Sequence, residues 1–138
     1  YALLGAGELQ EGQVWEALMF GAHYSLDNLC VIIDNNNLQI DGAITDVMSP
    51  YPIREKLEAF GYSVIEVDGH SFEELEQAFN TARNTKGKPT AILMKTIKGK
   101  GVSFMENKAA WHGKAPNDEE YMTAIRELSQ AASSEVTK

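Results

Sequence analysis

Leu29-Cys30-Val31-Ile32-Ile33 is an unbroken apolar run that stops at Asp34-Asn35-Asn36-Asn37, and no other stretch constrains the fold as tightly. A strand with no polar residue on either face must be covered on both. That is the form taken by strands of a parallel sheet held between helices. Tyr1 to Leu4 is a second, shorter strand candidate, and it ends on the turn Gly5-Ala6-Gly7. Between the two, Val14, Ala17, Leu18, Gly21 and Ala22 recur at helical spacing from Glu11 to Tyr24. Trp15, Met19 and Phe20 extend the apolar surface around that cylinder, so this helix is expected to be largely buried.

The rest of the chain continues the alternation. Asn37 to Asp46 predicts a loop with Asp41-Gly42 as its turn. Pro52, followed by Arg54, Leu57, Ala59 and Phe60, predicts a short helix that stops at Gly61. Tyr62 to Val67 then reads as a strand ahead of Asp68-Gly69. Ser71 with Glu74 forms a capping-box pattern for a helix carrying Phe72, Leu75, Phe79 and Ala82 on one face. Asn84 to Lys88 is a loop, and Thr90 to Met94 is a strand after Pro89. A last helix is expected from about Asn117 to Ala131, with Tyr121, Ile125 and Leu128 as its apolar stripe; residues 132–138 are expected to fray. Alternating strands and helices predict an α/β, doubly wound, mostly parallel sheet with flanking helices, forming one domain over residues 1–131.

Composition narrows the function. The chain has 138 residues and a net charge of −8, which argues against nucleic acid or an anionic membrane as partner. It holds neither a run of about eighteen apolar residues nor a charged segment leading into an apolar one, so no membrane span and no signal peptide are expected. Cys30, the one cysteine, lies inside an apolar run and should be a buried small hydrophobe in a reducing cytoplasm. Lys95, Lys98 and Lys100 run against the acidic balance, either as a solvated loop or as a surface facing phosphate.

Two polar clusters sit where strands end, and in parallel sheets those ends form the ligand crevice. Gly5 and Gly7 let the backbone approach an anion closely. An Asn side-chain oxygen is a hard ligand suited to magnesium, which shares its octahedron with phosphates. On residue type alone, Asn35, Asn36 and Asn37 are turn formers. His112 is a loop histidine, Trp15 a core residue, and His23 and His70 packing or surface residues. Asp34 reads as a turn residue or a partner to a ligand rather than as a general base.

Four segments then resemble one family, in its order and at its spacing. They are Gly5-Ala6-Gly7-Glu8-Leu9-Gln10-Glu11-Gly12-Gln13-Val14-Trp15-Glu16-Ala17; Asn28-Leu29 through Asp34-Asn35-Asn36-Asn37-Leu38-Gln39-Ile40-Asp41-Gly42; Lys95-Thr96-Ile97-Lys98-Gly99-Lys100-Gly101; and Trp111-His112-Gly113-Lys114. Together they resemble the thiamine-diphosphate motif region of transketolases and cover nearly the whole chain. The resemblance implies Mg2+ held by the Asn36 side chain and the Leu38 carbonyl oxygen, and a cofactor diphosphate met by the backbone at Gly5 and Gly7. It places Ile97 and Lys98 in the loop over the cofactor, and makes His112 the catalytic candidate, facing diphosphate and sugar. Glu11 stays between two readings: a carboxylate favoured at a helix start, or a residue near the subunit interface beside the cofactor.

The resemblance also implies ketol transfer between sugar phosphates, in a homo- or hetero-oligomer with a pyrimidine-binding, C-terminal portion or subunit. Other thiamine enzymes fit less well at Leu9-Gln10-Glu11-Gly12-Gln13. At position 6 the family has Asp and this chain has Ala. A methyl group cannot ligate a cation, so thiamine diphosphate and Mg2+ are both expected to bind weakly or not at all. Glu8 occurs in the family as well and is no evident replacement. Relatives place further strands and histidines ahead of the motif, so the chain reads as a fragment or processed product lacking the front of its domain. The exposed sheet edge this leaves should favour association or instability. An enzyme component that needs a partner and a non-catalytic relative both remain open.

Overall fold

The computed structural model describes residues 1–135. Its strands and helices follow in the order β1 (Ala2–Gly5), α1 (Gly12–His23), β2 (Cys30–Asn35), β3 (Leu38–Gln39), β4 (Gly42–Ala43), α2 (Ile44–Val47), α3 (Ile53–Phe60), β5 (Ser63–Asp68), α4 (Phe72–Asn84), β6 (Thr90–Lys95) and α5 (Asp118–Glu135). A 3-10 turn, Ala6–Gln10, joins β1 to α1. The main sheet has the order β1-β2-β6-β5, and all its pairings are parallel. The doubly wound α/β architecture expected from the apolar runs is therefore the one observed.

Period-two alternation divides the strands between two cores. On one face Val31, Ile33, Ala91 and Leu93 pack with Leu18 of α1 and Ile53 and Leu57 of α3. On the other, Cys30, Val67 and Ile92 pack with Ala78 and Ala82 of α4. Ile33, Leu57 and Ile92 are fully buried, each worth about 1.5–3 kcal/mol against exposure. A one-residue slip of β2 would exchange both sets of side chains, so the two cores together pin the register. That register pairs Asp34 with Met94 and Asn35 with Lys95, and so sets β2 and β6 to finish level with each other. Burial also raises the pKa of the Cys30 thiol, as expected for an inert core cysteine.

Several expectations are corrected. α1 buries only Leu18 and Gly21, while Met19 and Phe20 are 49% and 58% exposed. Of its predicted stripe, Leu18 and Gly21 are buried, Val14 and Ala22 are half-buried and Ala17 is exposed, and no described element packs over Met19 and Phe20. Phe72 is 89% exposed, because as the first residue of α4 it precedes the turns that lie on the sheet; Ala78 is buried with Ala82 instead. Tyr121, Ile125 and Leu128 are about half exposed, and Ala124 is the residue that α5 buries. The Ser71 cap forms, with the Glu74 N–H donating to Ser71 Oγ at 3.3 Å. The Glu74 carboxylate does not return to Ser71; it accepts from the Asp68 N–H at 2.8 Å and ties α4 to the end of β5. The 37–46 loop contains the β3–β4 hairpin and the short α2. α3 stops where expected, on Gly61 at φ +100°. α5 runs to Glu135, into the expected tail, and residues 136–138 lie outside the described residues.

Candidate functional site

β1 and β2 finish side by side, and the segments that leave them turn toward each other. Gly5 ends β1 and Ala6 and Gly7 follow it, while Asp34 lies at the end of β2 and Asn36 and Leu38 follow that strand, and all of them line one cleft of about 540 Å3. Glu11, Lys98 and His112 reach the same cleft from α1, from the segment after β6 and from the turn before α5. Ile97 is not on its wall. Ile97 is half-buried behind it, and its backbone N–H donates to His70 Nε2 at 2.8 Å. One cleft thus brings together residues more than a hundred positions apart.

The wall formed after β1 suits an anion. Glu8 Oε2 accepts the Gly5 N–H at 2.6 Å and closes the turn. The Gly5–Asp34 pairing commits the Ala6 N–H to the strand ladder, whereas the Gly7 N–H lies in the first turn of the 3-10 segment with no acceptor inside that segment, and so suits an incoming oxygen atom. At Gly7 a Cβ would stand 3.1 Å from Gln39 Cβ, a close approach that glycine permits. Lys98, which has no ion pair with a described residue, brings a positive charge to the same cleft.

The wall formed after β2 offers oxygen atoms. Asn36 Oδ1 accepts the Leu38 N–H at 2.9 Å. In the β3–β4 ladder the Ile44 N–H reaches the Asn37 carbonyl, so by alternation Leu38 turns its own N–H and C=O off the ladder. Both groups of a strand residue point to the same edge, and its N–H is aimed at Asn36. The Leu38 carbonyl therefore shares an edge with Asn36 Oδ1. An amide oxygen has two lone pairs, and the Leu38 bond leaves one of them. Two neutral oxygens on one edge beside an anion-receiving turn fit a magnesium–diphosphate group.

Position 6 supplies no third oxygen. Ala6 is 3% exposed, and its methyl joins the core with Leu9, Leu18 and Ile33. Of the three carboxylates lining the cleft, Glu8 accepts from Gly5 and Asp34 Oδ1 accepts from the hydroxyl of Thr96 and from Asn36 Nδ2, the latter at 3.3 Å, while Glu11 stands on the wall at the start of α1. No group of three or more His, Cys, Asp or Glu residues that could hold a metal occurs among the described residues. Thr96 and His70 were not singled out by motif; the one signal for Thr96 is its place between Lys95 and Ile97 in a matched segment.

The profile described as transketolase, thiamine diphosphate binding domain, matches residues 1–134. This chain belongs to the transketolase thiamine-diphosphate-binding family. Among its relatives, one of the subunits of apulose-4-phosphate transketolase from Phocaeicola vulgatus is 45% identical over 130 residues, which are 94% of this chain and 46% of that protein. Human transketolase is 51% identical over 116 residues, covering 83% of this chain and 18% of that protein. The transketolase structure from Campylobacter jejuni superimposes with a TM-score of 0.86 at 31% identity, covering 92% of this chain and 20% of that one. This transketolase-family chain thus spans about half the length of the apulose-4-phosphate transketolase subunit and about a fifth of the human and Campylobacter jejuni transketolases. No helix among its described residues is long and apolar enough to cross a membrane.

Proposed function

We propose that this chain forms the diphosphate and magnesium side of a thiamine-diphosphate site in a transketolase assembled from two parts. A pyrimidine-binding, C-terminal portion or subunit completes the site, and sugar phosphates are the substrates. The observation that carries this reading is the single cleft lined by Gly5, Gly7, Asn36, Leu38, Lys98 and His112. The similarity to a relative whose name makes it one of a transketolase's subunits supports the two-part assembly.

When bound, the cofactor would supply the carbanion-stabilising chemistry for moving a two-carbon ketol unit. The residues of this chain bind and orient. The Gly7 N–H would receive a diphosphate oxygen, Asn36 Oδ1 and the Leu38 carbonyl would hold magnesium, and Lys98 would balance the anionic charge. The exposed His112, at the cleft wall, contacts a phosphate or a substrate hydroxyl. Because position 6 gives no carboxylate, the cation is held by neutral oxygens and by the diphosphate itself, and binding is weakened. Losing even a partner of a metal ligand typically costs about 10–100-fold in affinity.

Calorimetry and thermal shift with Mg2+ plus thiamine diphosphate test this, using Ala6→Asp for comparison. The native chain should bind weakly. Ala6→Asp should bind at least about 10-fold tighter yet melt lower without ligand, because its carboxylate replaces a methyl that is 3% exposed. Equal, tight affinity in both would remove the weakening. No shift in either, where saturating ligand at about a hundredfold excess should add about 2.7 kcal/mol, would leave a non-catalytic relative that keeps the fold.

A further inference from the structure

We infer that Thr96 and Asp34 are positioning residues that fix which end of the Asn36 side-chain amide faces the cleft; this rests on the cofactor reading above. The two ends of an amide are nearly equal in size and opposite in chemistry. Only the oxygen end ligates a cation, so a flipped Asn36 would present N–H donors to it. Asp34 selects the end. Its Oδ1 accepts from Asn36 Nδ2 at 3.3 Å, which leaves Asn36 Oδ1 on the Leu38 side at 2.9 Å from that residue's backbone nitrogen.

Thr96 holds Asp34 in turn, its hydroxyl donating to the same Oδ1. The β2–β6 register brings them together: Asp34 pairs with Met94, and Thr96 lies just beyond the end of β6. Its rotamer is set from behind. A Cβ on Gly69 would stand 2.4 Å from Thr96 Cγ2, so the methyl is packed against the glycine and the hydroxyl is left toward Asp34. In a site without a carboxylate at position 6, the neutral amide oxygen carries a larger share of cation binding. Its orientation then matters more than it would beside a charged ligand.

Thr96→Val keeps the shape and deletes the donor, while Thr96→Ser keeps the donor. Two readouts on the full chain separate orientation from binding. In ligand-free protein, hydrogen exchange at the Leu38 amide reports whether Asn36 Oδ1 still faces it. It should quicken by about 2–10-fold in Thr96→Val, as for the loss of one net hydrogen bond, and stay near native in Thr96→Ser. Calorimetry with Mg2+ and thiamine diphosphate, in the native chain and on an Ala6→Asp background, should show an affinity loss of about 10-fold or more for Val and recovery for Ser, with the ligand-free melting temperature lowered by no more than the loss of one hydrogen bond accounts for. Both readouts must move together. If the chain binds the cofactor but binding or Leu38 exchange ignores Thr96→Val, the positioning role falls and the proposed function stands. If neither background binds, the proposed function fails and the positioning role fails with it.

Discussion

The imidazole Nε2 of His70 accepts the backbone N–H of Ile97 at 2.8 Å, so a side chain just past β5 steers the segment that leaves β6 for the cleft. His70 is itself aimed by its own N–H, which donates to Asp68 Oδ1 at 2.9 Å. The Gly69 N–H adds a third tie, to the Lys95 carbonyl at 2.8 Å. Replacing His70 with Ala removes one net hydrogen bond, so amide exchange at Ile97 should rise by about 2–10-fold. His70→Gln, which retains an acceptor, should recover part of the protection. Unchanged exchange in the Ala variant would show that the ring does not hold this segment.

Gly69 predicts a steric cost at the same place. An added Cβ would meet Thr96 Cγ2 at 2.4 Å, Met94 Cβ at 3.0 Å and the Lys95 carbonyl oxygen at 3.3 Å, so both strand-end segments would have to part. Gly69→Ala should destabilise the chain by about 1–3 kcal/mol in urea unfolding, the usual range for overpacking. Gly12→Ala is the control. It opens α1 with nothing within 4 Å of its new Cβ, and should be neutral or stabilising by up to about 1 kcal/mol. Equal effects of the two would contradict the packing described.

α5 is held by carboxylates that acid should release. Glu127 accepts from the backbone N–H and the hydroxyl of Ser103, both at 2.7 Å, and these bonds lower its pKa. Glu120 is lowered chiefly by its hydrogen bond from Lys114, with help from the Asn117 N–H. A depressed folded pKa means the contribution is fully present above the ordinary glutamate value, about 4.3, and is lost as the pH falls through the lower folded values. Protection of the α5 amides, relative to their intrinsic exchange rates, should therefore fall below about pH 4, before that of the central strands, and Glu127→Gln should flatten the pH dependence. Protection of α5 that ignores pH in this window would refute the account.

The strands, the helix stop at Gly61 and the burial of Cys30 were legible because each follows from local pattern: an apolar run, a glycine after a helical repeat, a small hydrophobe inside a strand. The motif residues were legible for a related reason. Gly5, Gly7, Asn36, Leu38, Lys98 and His112 lie in segments whose spacing matches a family, and they meet in one cleft. Coverage was not legible. Periodicity tells which positions of α1 share a face, but not that Met19 and Phe20 face outward with no described element over them.

The amino-acid order alone determined the alternation of elements, the family and the missing carboxylate at position 6, because these depend on residue type and short spacing. Folding decided which atoms meet across the chain. The Thr96–Asp34 contact spans 62 residues and the Ile97–His70 contact 27. Each requires two parallel strands to pair in one register, and that register is selected by the packing of both cores at once, so no local segment encodes it.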